Sequence, residues 1–213
     1  MIYSKEYIKQ KLSGSLPGMD AHLRMAPASR ARELENVSGK LENARKSAVM
    51  MLFFGEAEDL KMIVIRRSNY VGIHAGQIAF PGGRYEEGDG DVQETAYREL
   101  EEEIGITRDK IELLGRLTDI YVPPSNFLIS IFVGYLEERP LYKIQDREVA
   151  EVIEVPLQEF FSPNVVKFKD FYVSSLKAAA NAPYFDVTNA EIWGASAMVI
   201  SELLELLKEG RLQ

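Results

Sequence analysis

The sequence predicts an α/β fold, with a mixed sheet of the α+β kind and a few helices packed on it. Between residues 48 and 155, several apolar segments of strand length are separated by polar turns. Apolar residues also recur at every fourth position from Val92 to Ile104, which is typical of a helix with one buried face. Residues 196–209 carry a second apolar stripe at helical spacing, so a terminal helix is expected to cover the sheet.

The first 45 residues are predicted to form an N-terminal extension, and residues 46–213 the main domain with its C-terminal helix. Residues 2–12 indicate a short basic helix, and the Gly- and Pro-containing segment 13–18 indicates a turn. The apolar side chains of this helix suggest that it docks on the core or on a partner subunit. His22 is expected at the surface, with a ligand role as the alternative.

The main domain reads as strands with one central helix. Asp91 is the expected N-cap of that helix, with Glu94 as its capping-box partner, and Gly105 fits its C-terminal end. The predicted strands are residues 48–54, 62–65, 78–80, 111–121, 127–136 and 151–155, followed by a short helix at 156–161.

Composition bounds the class of protein. The chain has 213 residues, 46% of them hydrophobic, which is typical of a globular protein with a core. A net charge of -8 argues against binding to nucleic acid or to anionic membranes. Without cysteine there are no disulfides and no thiolate chemistry. Neither a signal peptide nor a membrane span is indicated, and a cytoplasmic protein is expected.

Three acidic residues of the central helix stand out. Glu99, Glu102 and Glu103 occupy positions i, i+3 and i+4 and therefore share one helix face. Glu99 and Glu103 are like charges one turn apart, which costs an isolated helix roughly 0.2–0.5 kcal/mol. A solvated face is the usual explanation of such a run. A hard divalent cation would turn the repulsion into binding, and Gly82-Gly83 would let the backbone come close to it.

The segment from Gly83 to Ile106 resembles the signature of the Nudix hydrolases. The second half of that signature is Arg-Glu, an aliphatic residue, any residue, Glu-Glu, any residue, Gly and an aliphatic residue, and Arg98 to Ile106 match it completely. In the first half, Asp89 replaces a Glu, and the eight residues between Asp89 and Arg98 are one more than the signature has. Both departures also occur in the branch of the family that hydrolyses coenzyme A.

A second motif resembles the same coenzyme A branch. Its positions are matched by Arg67, Ser68, Gly76 and the run Phe80-Pro81-Gly82-Gly83. Later segments at 148–157 and 192–197 are also similar to this branch. The resemblance covers residues 45–207, and the Nudix part of it is the more specific.

Two positions depart from the upstream motif. Ile65 stands where a Thr is expected, and Gly72 where an Arg is expected. The missing Arg removes one implied contact to phosphate or substrate. Lys61, Arg66 and Arg84 are candidates to replace it.

The resemblance implies a Nudix α/β/α sandwich and hydrolysis of a diphosphate bond with Mg²⁺ or Mn²⁺, which carboxylates suit. Arg98 is implied to orient the acids and belongs with them to the catalytic set. The implied metal ligands are Glu99, Glu102, Glu103 and the carbonyl of Gly82. The implied substrate contacts are Arg67, Ser68, Gly76 and Gly83.

Several roles stay open at this stage. The base that deprotonates water is Glu99, Glu148 or Glu151, the last two having a solvated strand edge as the alternative. Asp89 either supports the site or belongs to a loop. His74 either binds phosphate or is a structural loop residue.

Two further groups have a structural and a functional interpretation. Pro123, Pro124 and Asn126 either shape the pantetheine end of the substrate site or form a plain turn. Trp193 and Tyr184 either stack on an adenine or belong to the core. The sequence by itself does not decide between them.

Three functions follow. The first is a metal-dependent coenzyme A diphosphatase that yields 3',5'-ADP and 4'-phosphopantetheine, or acyl-4'-phosphopantetheine from acyl-coenzyme A. The second is a Nudix hydrolase of another nucleoside diphosphate derivative, such as ADP-ribose or a dinucleotide, which the departure at Gly72 favours. The third is a ligand sensor without catalysis, which the intact set of glutamates disfavours. A small nucleotide-type substrate is the expected partner, and a homodimer is the default expectation.

Overall fold

The computed structural model describes residues 3–28, 30, 39, 41–69, 76–173 and 178–208. Gly72 and His74, and with them the expectations attached to these two residues, lie outside the described residues. The same holds for Ile2 and Glu209, at the ends of the two predicted terminal helices.

The centre of the molecule is a mixed seven-stranded sheet. Its main path runs β3-β2-β1-β6-β5, while β4 pairs with β1 and β7 with β2. β1 and β6 are parallel, and every other neighbouring pair in the described part of this sheet is antiparallel. The strands are β1 Arg45–Phe54, β2 Lys61–Arg67, β3 Ile78–Ala79, β4 Gly82–Arg84, β5 Ile111–Val122, β6 Phe127–Leu136 and β7 Val149–Pro156.

α-Helices pack on both faces of the large sheet, and each face carries a hydrophobic core. Met50 and Leu52 of β1 pack on one face with α3, whereas Met51 and Phe53 pack on the other with α1, α2 and α4. This alternation follows from the two-residue period of a strand. The fold is therefore the predicted mixed α/β sandwich. The helices are α1 Lys5–Leu12, α2 Met19–Leu23, α3 Val92–Ile104 and α4 Gly194–Lys208.

A second, three-stranded antiparallel sheet was not predicted from the sequence. It comprises β8 Val166–Val173, β9 Ala178–Val187 and β10 Ala190–Trp193, in the order β10-β9-β8. Alanine, which has a low strand propensity, fills the first part of β9, so the local signal was weak. Pairing with β8 and β10 overrides that propensity.

The boundaries of α3 follow from its caps. The Asp91 side chain accepts hydrogen bonds from the backbone N–H groups of Gln93 and Glu94 at 2.8 and 2.9 Å. As the capping-box partner, the Glu94 side chain was expected to accept a hydrogen bond from the Asp91 N–H. It pairs with Arg108 instead. Gly105 ends the helix in the left-handed conformation, at φ 75°, which glycine adopts without strain.

The N-terminal helices are held to α4 by a buried polar cluster. Glu202 accepts hydrogen bonds from His22 Nε2 at 2.9 Å, from the Gly18 N–H at 3.0 Å and from the Thr118 hydroxyl at 2.6 Å. His22 and Glu202 are both fully buried, so the expectation of a surface His22 was wrong. A buried carboxylate is stable when several donors bond to it, and the bond to Glu202 accounts for the burial of His22.

The division of the chain at residue 45 stays a prediction.

Burial alone would raise the pKa of Glu202, but the hydrogen bonds from His22 and Thr118 outweigh it and hold the pKa below its usual value. A carboxyl with a lowered pKa stabilises the fold in its charged form. Its contribution is complete above the unfolded-state pKa and is lost as the pH falls through the folded-state pKa.

Among the described residues, no helix is long and apolar enough to cross a membrane.

We expect Glu202→Ala to lower the free energy of unfolding by about 3–5 kcal/mol, because it leaves the buried His22 and the half-buried Thr118 hydroxyl without their acceptor. Urea unfolding followed by circular dichroism at pH 7 measures the change. Glu205→Ala is the matched control on the same helix: its carboxylate pairs with Arg24 at the surface, and we expect a loss within about 1 kcal/mol. Equal losses in the two variants would contradict this account, and the difference should shrink as the pH falls through the folded-state pKa of Glu202.

Candidate active site

The helix α3 and the short strand β4 meet at the two glycines that follow Phe80 and Pro81. A Cβ atom on Gly82 would lie 2.3 Å from the Ala48 carbonyl oxygen, so only glycine allows β4 to approach β1 this closely. A Cβ atom on Gly83 would lie 2.4 Å from the carboxylate of Glu99. The glycines therefore bring the backbone directly against the acidic face of α3.

Three carboxylates converge at this point. Ligand oxygens of Glu99, Glu103 and Glu148 all lie within 4.8 Å of one another. Glu148 comes from the turn before β7, and its carbonyl accepts a hydrogen bond from the Ser68 N–H at 2.9 Å. The Ser68 hydroxyl also donates to the Asp146 carbonyl, at 2.9 Å. Ser68 thus ties the end of β2 to the turn that carries Glu148.

Glu103 is the most buried member of this cluster, with 1% of its surface exposed. Its Oε2 accepts a hydrogen bond from the Gly82 N–H at 2.9 Å, and its Oε1 lies 3.7 Å from a guanidinium nitrogen of Arg67. Burial raises the pKa of Glu103 to about 8, although both contacts oppose the rise. The pKa of Glu99 is also raised, chiefly by burial.

Arg98 organises the acids around it. Its Nε donates to Asp89 at 2.6 Å, and one terminal nitrogen donates to the Arg84 carbonyl at 3.0 Å. The other terminal nitrogen lies 3.0 Å from Glu99 and 3.1 Å from Glu102. A guanidinium offers five donors in a fixed plane, so one side chain sets the direction of several carboxylates.

Asp89 belongs to this arrangement rather than to a free loop. It is buried, and its Oδ2 accepts hydrogen bonds from the Thr95 hydroxyl at 2.8 Å and from the Glu86 N–H at 2.9 Å. The bond from Arg98 is the largest cause that holds the pKa of Asp89 well below its usual range. Asp89 therefore stays charged and positions Arg98.

Glu102 and Glu151 lie outside the group of three carboxylates. Glu102 is paired with Arg98 and is more than half exposed, although it shares a helix face with Glu99 and Glu103. Glu151 pairs with Arg66 at 3.1 Å. The ligand role of Glu102 and that of the Gly82 carbonyl stay predictions.

A cavity of about 630 Å³ opens beside the acidic cluster. Arg67, Ser68 and Gly83, three of the four residues implied at the substrate, line it. Gly76 lies instead beside a second cavity and shapes the chain, since its N–H donates to the Arg67 carbonyl at 3.2 Å. The position of Gly76, at φ 70°, is one that glycine favours.

Further cations line the same cavity. Of the three candidates to replace the missing arginine, Arg84 is the one that lines the cavity. Arg66 instead pairs with Glu151, and Lys61 lies 3.4 Å from Asp59. Sequence reasoning missed Arg30 and Arg147, which also line the cavity. No local signal marked them, because their placement depends on which loops meet in the folded chain.

The remaining ambiguous residues divide between cavity and core. Pro124 lines the cavity, while Asn126 sits in a turn at φ 52° and its amide donates to the Asn43 carbonyl. Tyr184 is buried in the second sheet, whereas Trp193 lines the cavity.

The donor set of the acidic cluster fits a hard divalent cation. Three carboxylates with oxygens within 4.8 Å repel one another when charged, and burial of Glu103 adds to that cost. A doubly charged ion coordinated by oxygen removes both penalties. Among the described residues, Glu99 and Glu103 are therefore the side chains that would hold it, and Glu148 is the third carboxylate beside them.

Comparison with known proteins places this chain in a family. The NUDIX domain model matches residues 44–178, more than half of the chain. The chain therefore belongs to the Nudix family, and it is a hydrolase that acts on a diphosphate bond. Nudix hydrolases in general need divalent metal ions, in accord with the acidic cluster.

Individual relatives agree. The chain is 31% identical over 164 residues to the uncharacterized Nudix hydrolase NudL of Photorhabdus laumondii, which covers 77% of this chain and 86% of the relative. It is 29% identical over 163 residues to the NudL protein of Yersinia enterocolitica, with 76% and 82% covered.

Solved structures show the same fold. The Nudix hydrolase RenU of M. smegmatis matches with a TM-score of 0.51 at 11% identity, over 79% of this chain and 86% of that one. The MutT protein of Methanosarcina mazei matches with a TM-score of 0.50 at 17% identity, over 78% and 95%. At these identities the likeness concerns the fold alone.

We expect alanine substitutions at the two adjacent glycines to have different effects, one mainly on stability and the other mainly on kcat. Gly82→Ala should lower the free energy of unfolding by more than about 2 kcal/mol, because the new methyl group meets backbone at a φ of 151°. Gly83→Ala should cost less than about 1 kcal/mol but lower kcat at least roughly tenfold, because its methyl group displaces the Glu99 side chain. Urea unfolding and steady-state kinetics on both variants separate the two effects. A Gly83→Ala enzyme with unchanged kcat would contradict the proximity of Gly83 to the reacting groups.

We also expect metal binding to depend on pH. Because burial raises the pKa of Glu103 to about 8, this carboxyl is protonated at lower pH and must lose its proton before it can coordinate a cation. The Mn²⁺ affinity should therefore rise by up to about tenfold per pH unit between pH 6 and 8. Titration with Mn²⁺, followed by electron paramagnetic resonance, measures the free ion. Glu103→Gln should bind weakly and lose this slope, whereas the control Glu101→Gln, on an exposed position of the same helix, should keep it. A wild-type affinity that is equal at pH 6 and pH 8 would refute the titration of Glu103.

Proposed function

We propose that this enzyme hydrolyses the diphosphate bond of coenzyme A or acyl-coenzyme A, with Mg²⁺ or Mn²⁺, to 3',5'-ADP and 4'-phosphopantetheine or its acyl form. The observation that carries the proposal is the contact between the two motifs. Gly82 and Arg67 of the upstream motif reach Glu103 of the Nudix signature, at 2.9 and 3.7 Å. The residues that resemble the coenzyme A branch therefore border the reacting site itself.

The departure at Ile65 does not weaken this proposal. Ile65 is fully buried in the core beneath α3, on the opposite side of the sheet from the cavity floor of Val49 and Ile131. A threonine at this position would face the same core. The exchange therefore changes no cavity contact.

The chemistry rests on charge. A diphosphate resists attack because its oxygens repel a nucleophile. A divalent ion held by Glu99 and Glu103 would neutralise phosphate charge and lower the pKa of water. Arg67, Arg84 and Arg147 line the cavity and supply donors for the phosphate oxygens.

Glu148 is our candidate for the base that accepts the proton of the attacking water. Its carboxylate is exposed at the mouth of the acidic cluster, within 4.8 Å of Glu99 and Glu103 oxygens. Glu151, the competing candidate, is occupied by Arg66. Arg98 positions Glu99 and does not touch the proposed reacting atoms in this arrangement.

The alternative is a Nudix hydrolase of another nucleoside diphosphate derivative, such as ADP-ribose or a dinucleotide. The glycine at position 72, where the coenzyme A motif has an arginine, favours it. We further propose a small-molecule substrate rather than nucleic acid, a homodimer, a cytoplasmic location, and an N-terminal extension up to residue 45.

The first test is product analysis by chromatography, with Mg²⁺ or Mn²⁺, on coenzyme A, acetyl-coenzyme A, ADP-ribose, NADH and diadenosine phosphates. We expect coenzyme A to be split to 3',5'-ADP fastest, Glu103→Gln to lose at least about 10³-fold in kcat, and Glu101→Gln to match wild type. Faster turnover of another substrate would replace the coenzyme A assignment. Absence of turnover with either metal would favour a binding protein.

The same assay distinguishes the base. Glu148→Gln should lower kcat roughly 10²–10⁴-fold, the range for loss of general-base catalysis. Glu151→Gln is the matched control on the following strand and should stay within severalfold of wild type. The opposite ranking would assign the base to Glu151.

A further inference from the structure

The chain has a single tryptophan, and its ring is part of an ordered aromatic stack. Trp193, at the end of β10, lies on Phe171 of β8 with the ring centroids 4.4 Å apart and the planes 15° apart. Tyr184 packs edge-on against Phe171 at 5.6 Å and 80°. Lys169 Nζ lies 4.9 Å from the centre of the Phe171 ring, which further holds the stack in place.

The stack lies between two cavities. Trp193 lines the cavity beside the acidic cluster and also a second cavity of about 690 Å³, whereas Phe171 lines only the second one. Phe171 covers one face of the indole, and the rest of the ring borders these cavities. Trp193 is only partly buried, so part of the ring is accessible to a ligand.

The open indole and the acidic cluster flank the same strand pair. Ser196, three residues after Trp193, donates a hydrogen bond to the Ile78 carbonyl at 3.2 Å. Ile78 pairs with Arg66 in the sheet, and the next residue, Arg67, reaches Glu103. One molecule in the cavity can therefore contact both groups.

We propose that Trp193 stacks on the purine base of the substrate, with Phe171 as the positioning residue behind it. The inference rests on the proposed function, because only a nucleotide-derived substrate brings a base. A flat ring held from behind loses little conformational freedom when a second flat ring binds, so it suits a base better than a flexible chain. The aliphatic wall of Val122, Ile129 and Ile131 suits the flexible arm of the substrate instead.

The single tryptophan makes binding directly visible. We expect AMP and 3',5'-ADP to quench the fluorescence of the metal-free wild-type enzyme, and ribose 5-phosphate and 4'-phosphopantetheine to leave it unchanged. Phe171→Leu keeps the fluorophore but removes its support, so AMP should bind at least about 5-fold more weakly. Phe168→Leu is the matched control: this side chain lies on the other face of β8, is 67% exposed and should leave binding unchanged.

Kinetics separate stacking from a structural role. Trp193→Leu should raise KM for the base-containing substrate roughly 5- to 100-fold with kcat nearly unchanged, and Trp193→Phe should restore most of the loss. Equal quenching by AMP and ribose 5-phosphate, or an unchanged KM in a folded Trp193→Leu enzyme, would overturn the proposal.

The two proposals fail separately in these experiments. Quenching by AMP does not require turnover, so it would uphold stacking even if the enzyme splits another nucleoside diphosphate and not coenzyme A. Turnover of coenzyme A without quenching by AMP would uphold the proposed function and remove the stacking role from Trp193.

Discussion

The burial of Glu103 is the constraint on which the rest of the site depends. A carboxylate excluded from water is costly unless donors or a cation compensate it. The guanidinium of Arg67 lies 3.7 Å from the Glu103 carboxylate, and the Gly82 N–H donates a hydrogen bond to it at 2.9 Å. That bond requires β4 to lie against α3, and glycine at position 82 lets β4 also pair with β1. Burial still raises the pKa of Glu103, and a divalent ion bound there would remove the remaining penalty.

Arg98 extends this constraint to the loop before α3. The altered spacing of the signature is accommodated by a 3-10 turn at Glu87–Asp89, which places Asp89 where Arg98 Nε can donate to it at 2.6 Å. Through Arg98, Asp89 thus connects this loop to the helix. Thr95 completes it from the first turns of α3.

The N-terminal segment takes part in the same structure. Glu202 gathers His22 and Gly18 from this segment and Thr118 from β5, so the segment is fixed to two elements of the main domain. Arg30, farther along the segment, donates to the Tyr121 carbonyl and lines the cavity. The chain before β1 therefore contributes to the wall of the substrate cavity, although its sequence carried no sign of chemistry.

Local sequence by itself determined the helix α3, its N-cap at Asp91, its end at Gly105 and the shared face of Glu99 and Glu103, because helical spacing and capping act within a few residues. Most strands of the large sheet were also predictable, because apolar segments of strand length between polar turns are local signals as well. Only the tertiary structure decided that Glu148 joins these two acids while Glu102 turns to Arg98, that His22 is buried, and that an alanine-rich segment pairs into a second sheet. Those outcomes depend on which distant segments meet, and periodicity within one segment does not contain that information.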